Sequence, residues 1–126
     1  MRLGINTFLF SCPFTNASTR FFPRFRRWGF ETVEISIGDF GHIDPVYVRD
    51  RLQATGLVCG SVSPCLGPGM DLRGPAAHQR AGIRFMRRVI DRMVELDART
   101  MAGVVYSLVG RTEAVPAPER RRQWRT

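Results

Sequence analysis

The sequence predicts an α/β fold, the N-terminal half of a parallel (β/α)8 TIM barrel, and three observations carry this. Strand-forming and helix-forming segments alternate along the 126 residues, the order that produces a parallel sheet. A unit of helix end, brief turn and strand recurs, first as Trp28-Gly29-Phe30-Glu31-Thr32-Val33-Glu34-Ile35-Ser36 and then as Thr55-Gly56-Leu57-Val58-Cys59-Gly60-Ser61-Val62-Ser63. The junction after the first strand, Asn6-Thr7-Phe8-Leu9-Phe10-Ser11, holds no glycine, whereas doubly wound nucleotide-binding folds usually place a glycine-rich phosphate loop there. A doubly wound domain could be complete at this length, but a barrel needs about 250 residues. Residues 1–126 are therefore expected to form one partial barrel domain, with four strands, three helices and the start of a fourth helix.

Each element has a local reason. Leu3 to Phe8 alternates and is rich in strand formers, with Gly4, Asn6 and Phe8 on one face. Phe21, Phe22, Phe25 and Trp28 then repeat at helical spacing, a stripe suited to packing a helix on the barrel. Pro23 is tolerated only in the first turn of that helix, and Gly29 closes it. Thr32 to Ile37 is the second strand, with Val33, Ile35 and Ile37 opposite Thr32, Glu34 and Ser36. Asp44-Pro45 supplies an N-cap acceptor followed by proline at the first helical position, and Gly56 ends the helix. Leu57 to Ser63 is the third strand, with Cys59, Ser61 and Ser63 expected on one face. After a Pro/Gly loop comes the clearest helix, Ala76 to Leu96, with Ile83, Met86, Val89, Ile90 and Met93 as its apolar stripe. Thr100 to Ser107 reads as the fourth strand, and an arginine-rich helix follows Pro118.

Composition narrows the function classes. Cys12, Cys59 and Cys65 are odd in number and lack paired spacing, which argues against a disulfide framework or a four-cysteine zinc site and for a reducing, cytoplasmic setting. No stretch approaches the length of a membrane span. The apolar stretch from Leu3 to Phe14 has only Arg2 before it and is interrupted by Asn6 and Thr7, so it reads as a buried strand and not a secretion signal. The formal charge is +8, and all 19 basic residues are arginine. They are spread over several mostly helical segments, so no nucleic-acid partner is expected.

Polar residues gather where a barrel places its site. Asn6, Glu34, Ser36, Ser61, Ser63 and Ser107 lie near the carboxyl ends of strands. Inward polar groups are costly without partners, so a polar ligand or a buried network should account for them. Glu34 has a simpler reading as a buried carboxylate paired with an arginine. His42 with Asp39 are separated by a loop and make a weak metal pair; His78 opens a helix and is expected in solvent. Cys59 and Cys65 read as small buried residues. Arg111 and the run Arg120 to Arg122 could meet a phosphate, against the simpler reading of a solvated helix face.

Four segments stand out together: Met1-Arg2-Leu3-Gly4-Ile5-Asn6, Gly29-Phe30-Glu31-Thr32-Val33-Glu34-Ile35-Ser36-Ile37-Gly38-Asp39-Phe40, Asp71-Leu72-Arg73 before the long helix, and Ala102-Gly103-Val104-Val105-Tyr106-Ser107. Through them the sequence resembles the sugar phosphate isomerase/epimerase superfamily with the xylose isomerase-like barrel, nearest the D-tagatose/D-psicose 3-epimerase branch. The resemblance covers essentially the whole chain. It implies an enzyme that binds a ketose on a divalent metal, Mn2+ or Mg2+, and moves a proton at the third carbon through an enediolate. It also implies that the metal ligands and both catalytic glutamates lie on later strands, so no catalytic or metal-binding residue is assigned in this chain. The chain alone is then expected to be inactive, and the full-length enzyme a homo-oligomer.

On the substrate side the resemblance assigns Asn6, Glu34, Ser61, Val105 and Val109. Asn6 stands where relatives often carry an aromatic residue, a departure that bears on the sugar preference; Val109 stands where they often carry tryptophan, and it implies a more open pocket. Related barrels include hydroxypyruvate isomerases, inosose dehydratases and metal-dependent abasic-site endonucleases. A noncatalytic basic binding module is the reading from another class; it predicts a cooperative monomer with salt-sensitive binding to polyanions.

Overall fold

The computed structural model describes residues 1–110 and 114–125. The chain runs β1 (Gly4–Asn6), α1 (Phe22–Arg27), β2 (Thr32–Ile37), α2 (Pro45–Thr55), β3 (Val58–Pro64), α3 (Ala76–Glu95) and α4 (Ala117–Gln123), with short 3-10 turns at Thr7–Leu9, Asn16–Phe21 and Phe40–His42. The three strands are parallel in the order β1-β2-β3. This is the α/β order expected of the N-terminal part of a TIM barrel.

The helix ends follow their local chemistry. The Asp44 carboxylate accepts from the backbone N–H groups of Val46 and Tyr47 at 3.0 and 3.2 Å, with Pro45 at the first helical position. Gly56 closes α2 at φ 68°, a left-handed conformation that costs glycine little. Pro23 lies in the first turn of α1, which continues directly from the 3-10 turn before it.

The core sits between one face of the sheet and the helices. Val33, Ile35 and Ile37 of β2 and Val62 of β3 are essentially solvent-free, as are Phe22 and Phe25 of α1, Val48 of α2 and Val89 of α3. Each fully buried side chain of this kind contributes about 1.5–3 kcal/mol relative to exposure. The opposite face of the sheet, the inner wall, carries small and polar residues.

Five expectations are corrected. The Thr100–Ser107 segment forms no strand: it joins the sheet through a single parallel bridge, Met101 to Val62. Val62 N–H donates to the Thr100 carbonyl and Ala102 N–H to the Val62 carbonyl, both at 3.0 Å. Gly103, at φ 105°, then turns the backbone out of the extended conformation and stops the ladder. The first strand is also shorter than expected, because the backbone curls into the turn at Thr7.

Cys59 does not share a face with Ser61 and Ser63. The β2–β3 register shifts between Val33↔Cys59 and Glu34↔Ser61, so Gly60 is an extra residue. The bulge leaves Cys59 in the core and Ser61 on the inner wall.

The buried face of α3 is Gly82, Phe85, Val89 and Met93, while Ile83 and Ile90 are about half exposed. The expected stripe was rotated by part of a turn because Gly82 offered no apolar signal. It is nevertheless the contact point: a Cβ there would lie 2.5 Å from the Met70 carbonyl oxygen. In α1, likewise, Phe22 and Phe25 are buried but Trp28 is exposed.

Candidate functional site at the inner wall of the sheet

Alternation along β2 sends Val33, Ile35 and Ile37 to the core and leaves Thr32, Glu34 and Ser36 on the inner wall. The register then sets Asn6, Glu34 and Ser61 side by side on three strands. Glu34 is held from both flanks. Its Oε1 accepts from Asn6 Nδ2 at 2.7 Å, and its Oε2 accepts from Ser61 Oγ at 2.8 Å. The Phe8 backbone N–H donates to Asn6 Oδ1 at 2.8 Å, which fixes the amide so that its NH2 faces Glu34. Thr7 Oγ1 donates to the Glu34 carbonyl at 2.7 Å, tying the end of β1 to β2. One step further toward the carboxyl ends, the Ser36 and Ser63 hydroxyls are 2.8 Å apart. The expected arginine partner of Glu34 is replaced by this amide and hydroxyl pair.

Below this row the wall is nearly bare. Thr32 lies between Gly4 and Gly60, and a Cβ on either glycine would meet it at 2.4 and 2.9 Å respectively. An open groove of about 550 Å³ runs past Gly4, Thr32, Gly60, Asn6, Glu34 and Ser61. A smaller adjoining recess, about 170 Å³, brings Val109 to the same Asn6 and Glu34, with Ser36 and Ser63. Four of the five assigned residues thus line one continuous wall. Val105 lines neither space. Ser107 is buried, and its hydroxyl donates to the Leu108 carbonyl at 3.2 Å instead of facing the groove.

A carboxylate oxygen can accept more than one hydrogen bond. Glu34 can therefore accept from an incoming hydroxyl while keeping its neighbours, which suits a polyol ligand. The donor set does not suit a metal centre. Among the described residues no three His, Cys, Asp or Glu side chains lie together. His42 and Asp39 meet at 3.8 Å on the surface, with no third ligand beside them.

Other candidates have structural places. The Cys59 thiol is pushed up to about 12, by burial first and then by the charge of Glu34. Burial, and then Cys12, raise Cys65. Asp71 is almost fully buried and accepts from the Arg73 backbone N–H at 2.9 Å and from its guanidinium at 3.2 and 3.3 Å, bracing the connection into α3. His78 is exposed at the start of α3. Arg122 pairs with Glu119 at 2.6 Å, and Arg111 lies outside the described residues.

Sequence reasoning placed the polar side chains on one wall but missed their mutual hydrogen bonds and the bulge. The glycine inside a strand pattern, Gly60, was the available signal for the bulge.

An α/β half-barrel layout with a polar inner wall is the class that these features define. No protein-family model matches the sequence, and no curated protein matches it. Solved structures do share the fold. A D-allulose 3-epimerase from Methylomonas sp. in complex with D-allulose is similar at TM-score 0.83 and 22% identity, over 98% of this chain and 43% of that one. An L-ribulose 3-epimerase is similar at TM-score 0.77 and 24% identity, over 97% and 42%. An AP endonuclease, family 2, from Brucella melitensis is similar at TM-score 0.64 and 14% identity, over 89% and 43%. The chain thus spans less than half the length of these proteins, and its fold is that of the N-terminal part of a TIM barrel. No helix among the described residues is long and apolar enough to cross a membrane.

Proposed function

We propose that this chain is the N-terminal part of a metal-dependent sugar isomerase, of the ketose 3-epimerase kind, and that it supplies the sugar-facing wall. The observation that carries the reading is the row Asn6–Glu34–Ser61, hydrogen-bonded across three strands on a fold shared with several ketose 3-epimerases. Such a row presents a fixed carboxylate to hydroxyl groups, and the bare floor of Gly4, Thr32 and Gly60 leaves room for them. Among the described residues no cluster of His, Cys, Asp or Glu side chains could hold a metal; in this reading the Mn2+ or Mg2+ and the proton-transferring glutamates lie on later strands of the barrel. The whole enzyme acts on a ketose as a homo-oligomer.

The test is epimerisation of D-fructose, D-tagatose and D-allulose with Mn2+ or Mg2+ present. The 126-residue chain is expected to leave all three unchanged. A polypeptide continuing through the whole barrel is expected to invert the third carbon. In it, Glu34→Gln should lower kcat/KM by about tenfold or more, since a charged acceptor is lost at the sugar hydroxyls. A metal-loaded whole barrel that leaves every ketose unchanged would sink the reading.

A further inference from the structure

We propose that the cleft between α4 and the connection from β3 to α3 binds a phosphate monoester that carries a ring. The cleft holds about 570 Å³ and is lined by Arg73, Tyr106, Val115, Arg120, Gln123 and Trp124. That volume lies within the range of small-molecule sites. It is separate from the groove at Glu34, with which it shares no lining residue.

One of its two lining cations, Arg73, is positioned before any ligand arrives. Arg73 is pinned by the buried Asp71 at 3.2 Å, and its guanidinium sits 5.9 Å from the centre of the Tyr106 ring. Arg122 Nη2 donates to the Arg73 carbonyl at 2.9 Å, which fastens α4 across the connection. Arg122 is itself engaged by Glu119. This leaves Arg120, exposed on α4, as the cation in the lining that no carboxylate neutralises among the described residues.

The remaining chemistry is aromatic. Trp124 is 85% exposed and Tyr106 56% exposed, both on the cleft. Large aromatic faces left in water beside guanidinium groups suit a ligand with a flat or ring-shaped body and an anionic end. Arginine forks match phosphate oxygens bidentately, and the rings offer stacking. Arg73 follows the carboxyl end of β3, and Tyr106 follows the bridge at Met101. The cleft therefore opens on the side of the sheet where barrel ligands bind.

Sugar phosphates and nucleoside monophosphates share this chemistry, and binding separates them without any turnover. Trp28 and Trp124 are the two tryptophans, and Trp28 packs on Phe10 and Phe25, outside the cleft. Trp28→Phe thus leaves Trp124 as the reporter. Its fluorescence should change saturably with glucose 6-phosphate or adenosine monophosphate, at lower concentration than with inorganic phosphate. The tighter of the two monoesters identifies the ring. Arg120→Gln, at an exposed position that leaves the fold intact by circular dichroism, should weaken binding by about tenfold, and added salt should weaken it further. No saturable change with either monoester, or binding unaltered by Arg120→Gln, overturns the proposal. Inorganic phosphate binding as tightly as both monoesters overturns its ring.

Discussion

Glu34 shows how much a single residue's setting was legible. Alternation in Thr32–Ile37 turned it toward the inner wall, and that is where it lies. Its partners were not legible, because they come from strands 28 and 27 residues away and depend on a bulge that moves Ser61 into line. Cys59 shows the reverse: two-residue spacing put it beside Ser61, and the bulge buried it. The thiols offer a direct check. Burial holds Cys59 protonated at neutral pH with its pKa pushed up to about 12, while Cys12 is exposed. Since the thiolate is the reactive form, a thiol-specific reagent at pH 8 should label Cys12 first, and Cys59 only after unfolding. Fast labelling of Cys59 in the folded protein would contradict its placement. The same shift has a pH consequence. The folded thiol titrates above its ordinary 9.0, so the unfolded chain loses the proton first and stability should fall as pH rises from about 9 toward 12. Denaturant midpoints across that window should fall less steeply for Cys59→Ala than for the unaltered protein.

Among the elements, α2 was readable to the residue because caps are local: Asp44, Pro45 and Gly56 mark both ends. The fourth strand was not, because strand pattern continues through Val104 and Val105 whereas Gly103 has already left the extended conformation. Helix α3 was readable in its extent but not in its facing. Its close approach runs through Gly82, where an added Cβ would also come 2.6 Å from Leu72 Cδ2. Gly82→Ala should therefore lower stability by about 1–3 kcal/mol, the usual cost of overpacking, although alanine is the better helix former. The facing makes a second prediction. Val89→Ala should cost about 1–3 kcal/mol through lost burial and the cavity left behind. Ile90→Ala, at a position 51% exposed, should stay within about 0.5 kcal/mol. Chemical denaturation of the three variants reads both, and an Ile90→Ala cost equal to that of Val89→Ala would restore the original stripe.

For the molecule as a whole, the sheet has a helix-covered face built of Val, Ile and Cys, and an inner wall of Gly, Thr, Asn, Glu and Ser. Parallel sheets are ordinarily covered on both faces, and the interior of a closed barrel is packed with branched side chains. An inner wall this small and polar supports the proposed reading, in which it faces bulkier side chains and a hydroxyl-rich ligand across a closed barrel. The solved structures that share the fold are more than twice as long as this chain, which spans 42–45% of the 3-epimerases among them. The fold class was legible from element order together with the recurring helix–turn–strand unit and the glycine-free junction after β1; the chemistry was legible only as a polar wall, because the hydrogen bonds within it join residues far apart in sequence. The most direct measurement is to read the coding DNA beyond codon 126. If the chain is the N-terminal part of a ketose 3-epimerase-like barrel, as proposed, the frame continues, or resumes after a shift, into a fifth strand ending in glutamate roughly one βα unit (about 30 residues) further on. A true stop with no such sequence in any frame would contradict it.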